Sequence, residues 1–162
     1  MNPHPKPSSG VLAGALHYFP LRVYYEDTDL SGIVYHANYL RWFERARSDL
    51  LRLLGIDQRA AAEAGVGTYA VADMDIKFAA PARLDDDVIV ISRALDLGAA
   101  SVRMLQQAFR GEQMLAQAHV RVGFVAPDGR PRRQPAEWRA AFRQLDQQQS
   151  AAVQPIIVKE DE

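Results

Sequence analysis

The strongest constraint on the fold is a hydrophobic period that changes once and then reverts. Apolar residues alternate up to about residue 25, recur every third or fourth position over 39–54, and alternate again from 71 to 125. In the first stretch Leu21, Val23 and Tyr25 alternate with Arg22, Tyr24 and Glu26, which predicts a strand. Tyr39, Trp42, Phe43, Ala46, Leu50, Leu53 and Leu54 then mark one face of a helix, with Asn38 as its expected cap and Gly55 as its stop. Leu40 and Leu51 lie off that stripe, so the helix should be largely enclosed. A short Ala-rich helical piece follows at 58–64, and strands are expected over 71–78, 88–97, 101–109 and 114–125. In the last of these Met114, Ala116, Ala118, Val120, Val122 and Phe124 share one face. In 88–97 the pattern groups Ile89, Ile91 and Leu95, and a closing helix over 137–145 follows Pro135. The expected class is therefore α+β, an antiparallel sheet of about five strands wrapped around one long helix. Helices do not separate the later strands and no Gly-rich phosphate loop is present, so a parallel nucleotide-binding sheet is disfavoured.

A chain of 162 residues fits one domain with a core that needs no staples. Nineteen Lys and Arg balance 20 Asp and Glu, which gives no reason to expect a nucleic-acid or membrane-surface partner. The absence of cysteine excludes disulfides, Cys-ligated metals and a Cys nucleophile. No apolar run approaches the length of a membrane span, and the run at 11–16 is short for a signal-peptide core, so the cytoplasm is the expected compartment. Pro3, Pro5, Pro7, Ser8, Ser9 and Gly10 predict a mobile leader over residues 1–16, ahead of a folded domain at 17–146 and a polar tail at 147–162.

The chemistry concentrates between the first strand and the enclosed helix, where Glu26, Asp27 and Asp29 precede Ser31, Gly32 and His36. A helix start offers free backbone N–H groups that favour an oxyanion, and a carboxylate beside one is half of an acyl-transfer centre. Acidic residues before a helix also serve simply as partners of its dipole. Calcium is a rival reading. Asp27, Asp29, Ser31 and Gly32 match positions of an EF-hand loop, but Asn38 stands where the closing Glu is needed and Pro20 interrupts the flanking helix, so no metal is expected. His4, His17 and His119 lack such a constellation and read as surface or ordinary polar groups.

The run Tyr-Tyr-Glu-Asp-Thr-Asp-Leu-Ser-Gly-Ile-Val-Tyr-His-Ala-Asn-Tyr over 24–39, followed by Phe43-Glu44-Arg45-Ala46-Arg47, resembles the signature of the hotdog-fold acyl-CoA thioesterases. The resemblance is to the 4-hydroxybenzoyl-CoA thioesterase family, and within it to the YbgC type associated with the Tol–Pal system. A second match lies at Ala80-Pro81-Ala82-Arg83-Leu84-Asp85-Asp86, and the resemblance spans about 18–135. It implies a sheet wrapped around a helix, dimers joined edge to edge and often paired into tetramers, and sites between subunits. It places the catalytic carboxylate on Asp29, as nucleophile or general base, with the thioester carbonyl held by a backbone N–H at or near His36. His36 and Tyr25 become supporting catalytic groups. Gly32, Val34, Tyr35 and Arg83 fall at the substrate, and Arg130, Arg132 and Arg133 are candidates for the CoA phosphates. Glu26, Asp27 and Glu44 are expected to hold the turn and to pair with Arg45 or Arg47. Leu30 and Ser31 depart from the usual residues before Gly32, which puts the shape of the acyl pocket in question. The implied substrate is an acyl thioester of CoA or of a carrier protein, with no cofactor, because CoA is part of the substrate. A hotdog hydratase and a non-catalytic acyl-thioester binding protein of an envelope complex stay open beside it.

Overall fold

A computed structural model of the protein describes residues 3–148. Six strands, β1 (Val11–Ala13), β2 (Leu16–Arg22), β3 (Thr68–Phe78), β4 (Asp87–Leu97), β5 (Ser101–Arg110) and β6 (Gln113–Val125), form one antiparallel sheet in the order β1-β2-β4-β5-β6-β3. Among the described residues there are also three helices, α1 (Ala37–Leu53), α2 (Gln58–Glu63) and α3 (Ala136–Gln148), and a 3-10 turn at Tyr25–Asp27. The sheet wraps α1, as the change of period predicts. One strand more than expected appears because the supposed leader contributes β1, which pairs with β2 through Val11 to Tyr18 and Ala13 to Leu16.

Most apolar positions of α1 meet the sheet, but Leu53, expected on the inward face, is exposed where the helix runs out. Tyr39, Trp42, Phe43 and Ala46 pack with Val88, Val90, Ala108, Ala116 and Ala118 at the N-terminal end of the helix. Leu50 and Leu51 pack with Val102, Met104, Val120, Val122 and Phe124 at its other end, where Trp138, Phe142 and Leu145 of α3 close the cluster. Leu40, Arg41, Glu44 and Arg45 stay exposed, so the enclosure is open along one side. That side faces β3, whose other long edge carries no neighbouring strand in the sheet.

The leader assignment also fails at Ser9 and Gly10, which are held by the helix. Ser9 Oγ donates to Asp49 Oδ1 at 2.6 Å and Gly10 N–H donates to Asp49 Oδ2 at 2.8 Å. His17 Nε2 lies 2.8 Å from Asp49 Oδ2 and carries the proton, because a carboxylate only accepts. Gly10 is required by this close approach, since a Cβ there would sit 2.7 Å from His17 Nε2 and 2.8 Å from Asp49 Oδ2. The first strand runs earlier than the alternation suggests: β2 ends at Arg22, and Tyr25 lies in the 3-10 turn, 83% exposed. In β4 the inward residues are Val88, Val90 and Ser92, so Ile89 and Leu95 face outward. Met114 also leaves the predicted face of β6. A bulge pairs Ala108 with Ala116 but Phe109 with Met114, which turns Leu115 inward and leaves Met114 beside Gln107. Of the predicted tail, residues 147 and 148 finish α3, and 149–162 lie outside the described residues.

Candidate active site

The chain leaves the sheet at Val23, whose N–H donates to Asp86 O and whose carbonyl accepts from Asp85 N–H. It then turns sharply. The buried Asp27 organises that turn: its carboxylate accepts the Tyr24 N–H at 2.8 Å, and its carbonyl accepts both the Tyr35 N–H and the Asn38 side-chain amide. Thr28 and Val34 bridge the base of the loop, and Asp29 to Gly32 form its tip. Gly32 has φ +78°, a left-handed conformation in which a Cβ is strained. The second sequence match braces the first, since Val34 N–H donates to Ala82 O at 2.8 Å and an Arg83 guanidinium nitrogen lies 3.5 Å from Gly32 O.

At the tip, Asp29 Oδ1 accepts the Ser31 N–H at 2.8 Å and the Ser31 hydroxyl in a short bond. The Ser31 hydroxyl and then its N–H hold the Asp29 carboxyl below the ordinary aspartate range, against a small opposing effect of burial and with the nearby His36 adding to the lowering. Asp29 is therefore an exposed, ionised carboxylate at neutral pH. Oδ2 makes none of these bonds and is available to a reactant.

His36 takes the cap position of α1 with no side-chain capping bond. Asn38, expected as the cap, is buried and spends its amide on Asp27 O. The N–H groups of Asn38 and Tyr39 fold back on Tyr35 and His36, whereas those of His36 and Ala37 have no partner among the described residues. They are the free donors of a helix start. The His36 ring stands edge-on to Tyr35 at 4.5 Å and to Phe78, at the end of β3, at 6.2 Å. An ionised carboxylate, free N–H groups and a helix dipole thus meet at one exposed spot, the components needed to activate water and hold an oxyanion.

The structure brings Asp29, Gly32, Tyr35, His36 and Arg83 into this neighbourhood. Tyr25 stands on the exposed 3-10 turn that leads into the loop, and the others are set apart. The Val34 side chain is 4% exposed and belongs to the core, so its part is to anchor the loop. Arg130, Arg132 and Arg133 follow β6 at the end that pairs with Thr68, while His36 touches Phe78 at the far end of β3. The 11-residue length of β3, about 33 Å from Thr68 to Phe78, lies between them within one chain. Arg132 also donates to Gly65 O and Val66 O, which gives it a structural task.

Two buried clusters escaped the sequence reading. His17 lies on a strand 32 positions from Asp49, and only the fold joins them. Arg47 donates to Gln106, 59 residues away, as well as to Glu44, the one partner that helical spacing suggests.

The family model of the Thioesterase-like superfamily matches residues 23–145. The acyl-CoA thioesterase YbgC of Haemophilus influenzae is 39% identical over 128 residues, covering 78% of this chain and 94% of that protein. The acyl-CoA thioester hydrolase YbgC of Escherichia coli O157:H7 is 37% identical over 131 residues, covering 80% and 97%. Among solved structures, a probable thioesterase from Bartonella henselae superposes with a TM-score of 0.71 at 41% identity, covering 75% of this chain and all of that one.

Proposed function

The chain belongs to the thioesterase-like superfamily as an acyl-CoA thioesterase of the hotdog fold, and we propose on that basis that Asp29 and the start of α1 carry out the hydrolysis. The observation that supports this most is the ionised Asp29 carboxylate beside the unpartnered N–H groups of His36 and Ala37. The thioester carbonyl accepts hydrogen bonds from those N–H groups, so negative charge developing on its oxygen is held by the positive end of the helix. Asp29 Oδ2 either takes a proton from the attacking water or attacks the carbonyl carbon itself. Water supplies the hydroxyl of the product acid, and the sulfur leaves as the free thiol of CoA after gaining a proton. His36 orients the substrate from the helix entrance, and Tyr25 on the exposed 3-10 turn is a supporting polar group. No cofactor enters this scheme. Among the described residues no helix is long and apolar enough to cross a membrane, and the proposed setting is the cytoplasm.

The site is completed by a second copy of the chain. An unpaired antiparallel edge such as β3 invites a like strand. Two-fold pairing of β3 with its copy lays the Thr68 end of one protomer beside the Phe78 end of the other. This brings a partner's loop 130–133 toward His36 and resolves the separation seen within one chain. Arg133 is exposed and is the arginine of this loop whose side chain makes no hydrogen bond or ion pair among the described residues. Charge reversal, Arg133→Glu, should raise the KM for acyl-CoA about three- to tenfold with little change in kcat. An unchanged KM would remove this loop from the CoA site. The activity itself is read as thiol release from acyl-CoA by the purified protein.

A further inference from the structure

The open side of α1 and the adjacent face of β3 form a corridor that begins at Leu40, one helical turn beyond His36. On the helix its wall runs through Leu40, Glu44, Arg47 and Leu51, spaced by three and four residues. On the strand it runs from Phe78, in ring contact with His36, through Ile76 and Met74 to Val71. The first part is a groove of about 710 Å³, open in a single chain and lined by Leu40, Val71, Met74 and Ile76 with Arg41 and Arg45, and the second copy that pairs along β3 would form its outer wall. Behind it lies a more enclosed cavity of about 80 Å³ with apolar walls that include Leu50, Leu51, Met104, Val122 and Phe142. The two spaces share three residues, Glu44, Arg47 and Val71.

Glu44 and Arg47 form an ion pair at 2.5 Å, with the Arg47 side chain 8% exposed. Arg47 cannot swing aside freely. Its other terminal nitrogen donates to Gln106 Oε1 at 2.7 Å, and Gln106 is fully buried and donates in turn to Phe43 O and Ser92 Oγ. A methylene chain advancing along the groove would have to break a braced ion pair or lie against a desolvated guanidinium, and both are unfavourable.

We propose that the Glu44–Arg47 pair is a stop for the acyl chain: the groove takes a linear hydrocarbon tail, and the pair limits its length by closing the cavity behind. This rests on the acyl-CoA thioesterase reading and adds a determinant of specificity to it. From His36 to Glu44 is eight residues of helix, about 12 Å, so the tail meets the stop within a medium-length chain.

The test is thiol release from linear saturated acyl-CoAs, from butanoyl to palmitoyl, by wild type, Arg47→Met, Arg47→Met with Gln106→Met, and Arg47→Lys. The double variant removes both partners of the Arg47–Gln106 bond where the single variant strands one, and because it also takes the Gln106 donor from Phe43 O and Ser92 Oγ, all variants are compared at equal folded concentration. For wild type, kcat/KM should rise with each methylene, by up to about fourfold, and then drop once the tail reaches the pair. In both Met variants the ratio of long-chain to short-chain kcat/KM should rise by at least about fourfold, one further methylene's worth. Arg47→Lys should keep the wild-type cut-off. A wild-type profile without a cut-off, or Met-variant profiles parallel to wild type, would overturn the stop while leaving the thioesterase reading standing. A wild type that releases thiol from no chain length would overturn the reading and the stop together.

Discussion

Asp29→Asn should lower kcat for acyl-CoA hydrolysis by about 10²- to 10⁴-fold, the range expected on losing a positioned base. Asn matches Asp in shape and can still accept from Ser31 through its amide oxygen, so the loop tip at Gly32 should persist. It can neither take a proton from water nor attack a thioester. The helix start is untouched by the substitution, and its N–H groups should still polarise the carbonyl, so some rate above the uncatalysed one should remain. KM should move little, because Asp29 is proposed to act at the reacting carbonyl and lies apart from the arginines proposed for CoA. A large rise in KM with kcat preserved would instead place Asp29 in substrate binding.

The largest effect on stability is expected at Asp49, which no catalytic scheme uses. Asp49→Ala deprives Ser9, the Gly10 N–H and the buried His17 of their common acceptor, leaving polar groups stranded at the seam between β1, β2 and α1. Removing one partner of a buried pair of this kind costs about 3–5 kcal/mol. For a chain of this size that corresponds to a fall in Tm of about 10 °C. The pH dependence has a definite sign. Burial pushes the Asp49 carboxyl up, but the hydrogen bonds from Ser9, His17 and Gly10 together outweigh it and hold the group below the ordinary aspartate range. A carboxyl lowered by folding contributes stability above its unfolded pKa and loses it as pH falls through the folded one. The gap in unfolding free energy between wild type and Asp49→Ala should therefore be full at neutral pH and shrink below about pH 4. Thermal unfolding across that range measures it. A gap under about 1 kcal/mol at neutral pH would mean that β1 is held by other contacts.

The long-range logic of the fold was legible because period is a direct record of burial. Tyr39 to Leu50 on the helix and Ala116 to Phe124 on β6 face inward as their spacing requires. What the pattern concealed depends on chain crossings that it does not encode. The bulge at Met114 shifts one residue without altering the alternation on either side, and β1 has only three exposed residues, too few to register as a strand. At the candidate site, the nearness of Asp29, Gly32 and His36 was legible because they fall within one short run, and local turns and the helix start are written locally. Val34 was misplaced because a residue within the motif can anchor the loop from beneath instead of facing the ligand. The distance of Arg130 to Arg133 from His36 was hidden for another reason: β3 and β6 run the length of the sheet between them, and only the proposed two-fold pairing would bring the two ends together. His17 with Asp49, and Arg47 with Gln106, are tertiary pairs with no sequence spacing of their own.

The central claim is that the carboxylate of Asp29, set against the free N–H groups of α1, hydrolyses acyl-CoA. The most direct measurement follows thiol release from a panel of acyl-CoAs with a thiol-reactive dye, comparing wild type with Asp29→Asn at equal folded concentration. The chain has no cysteine and adds no background of its own. Steady release by wild type that falls at least about 100-fold in the variant, with Tm unchanged, is the predicted result. Wild-type release that survives in Asp29→Asn would contradict the assignment of the carboxylate, and a wild type silent on every substrate would contradict the hydrolase itself.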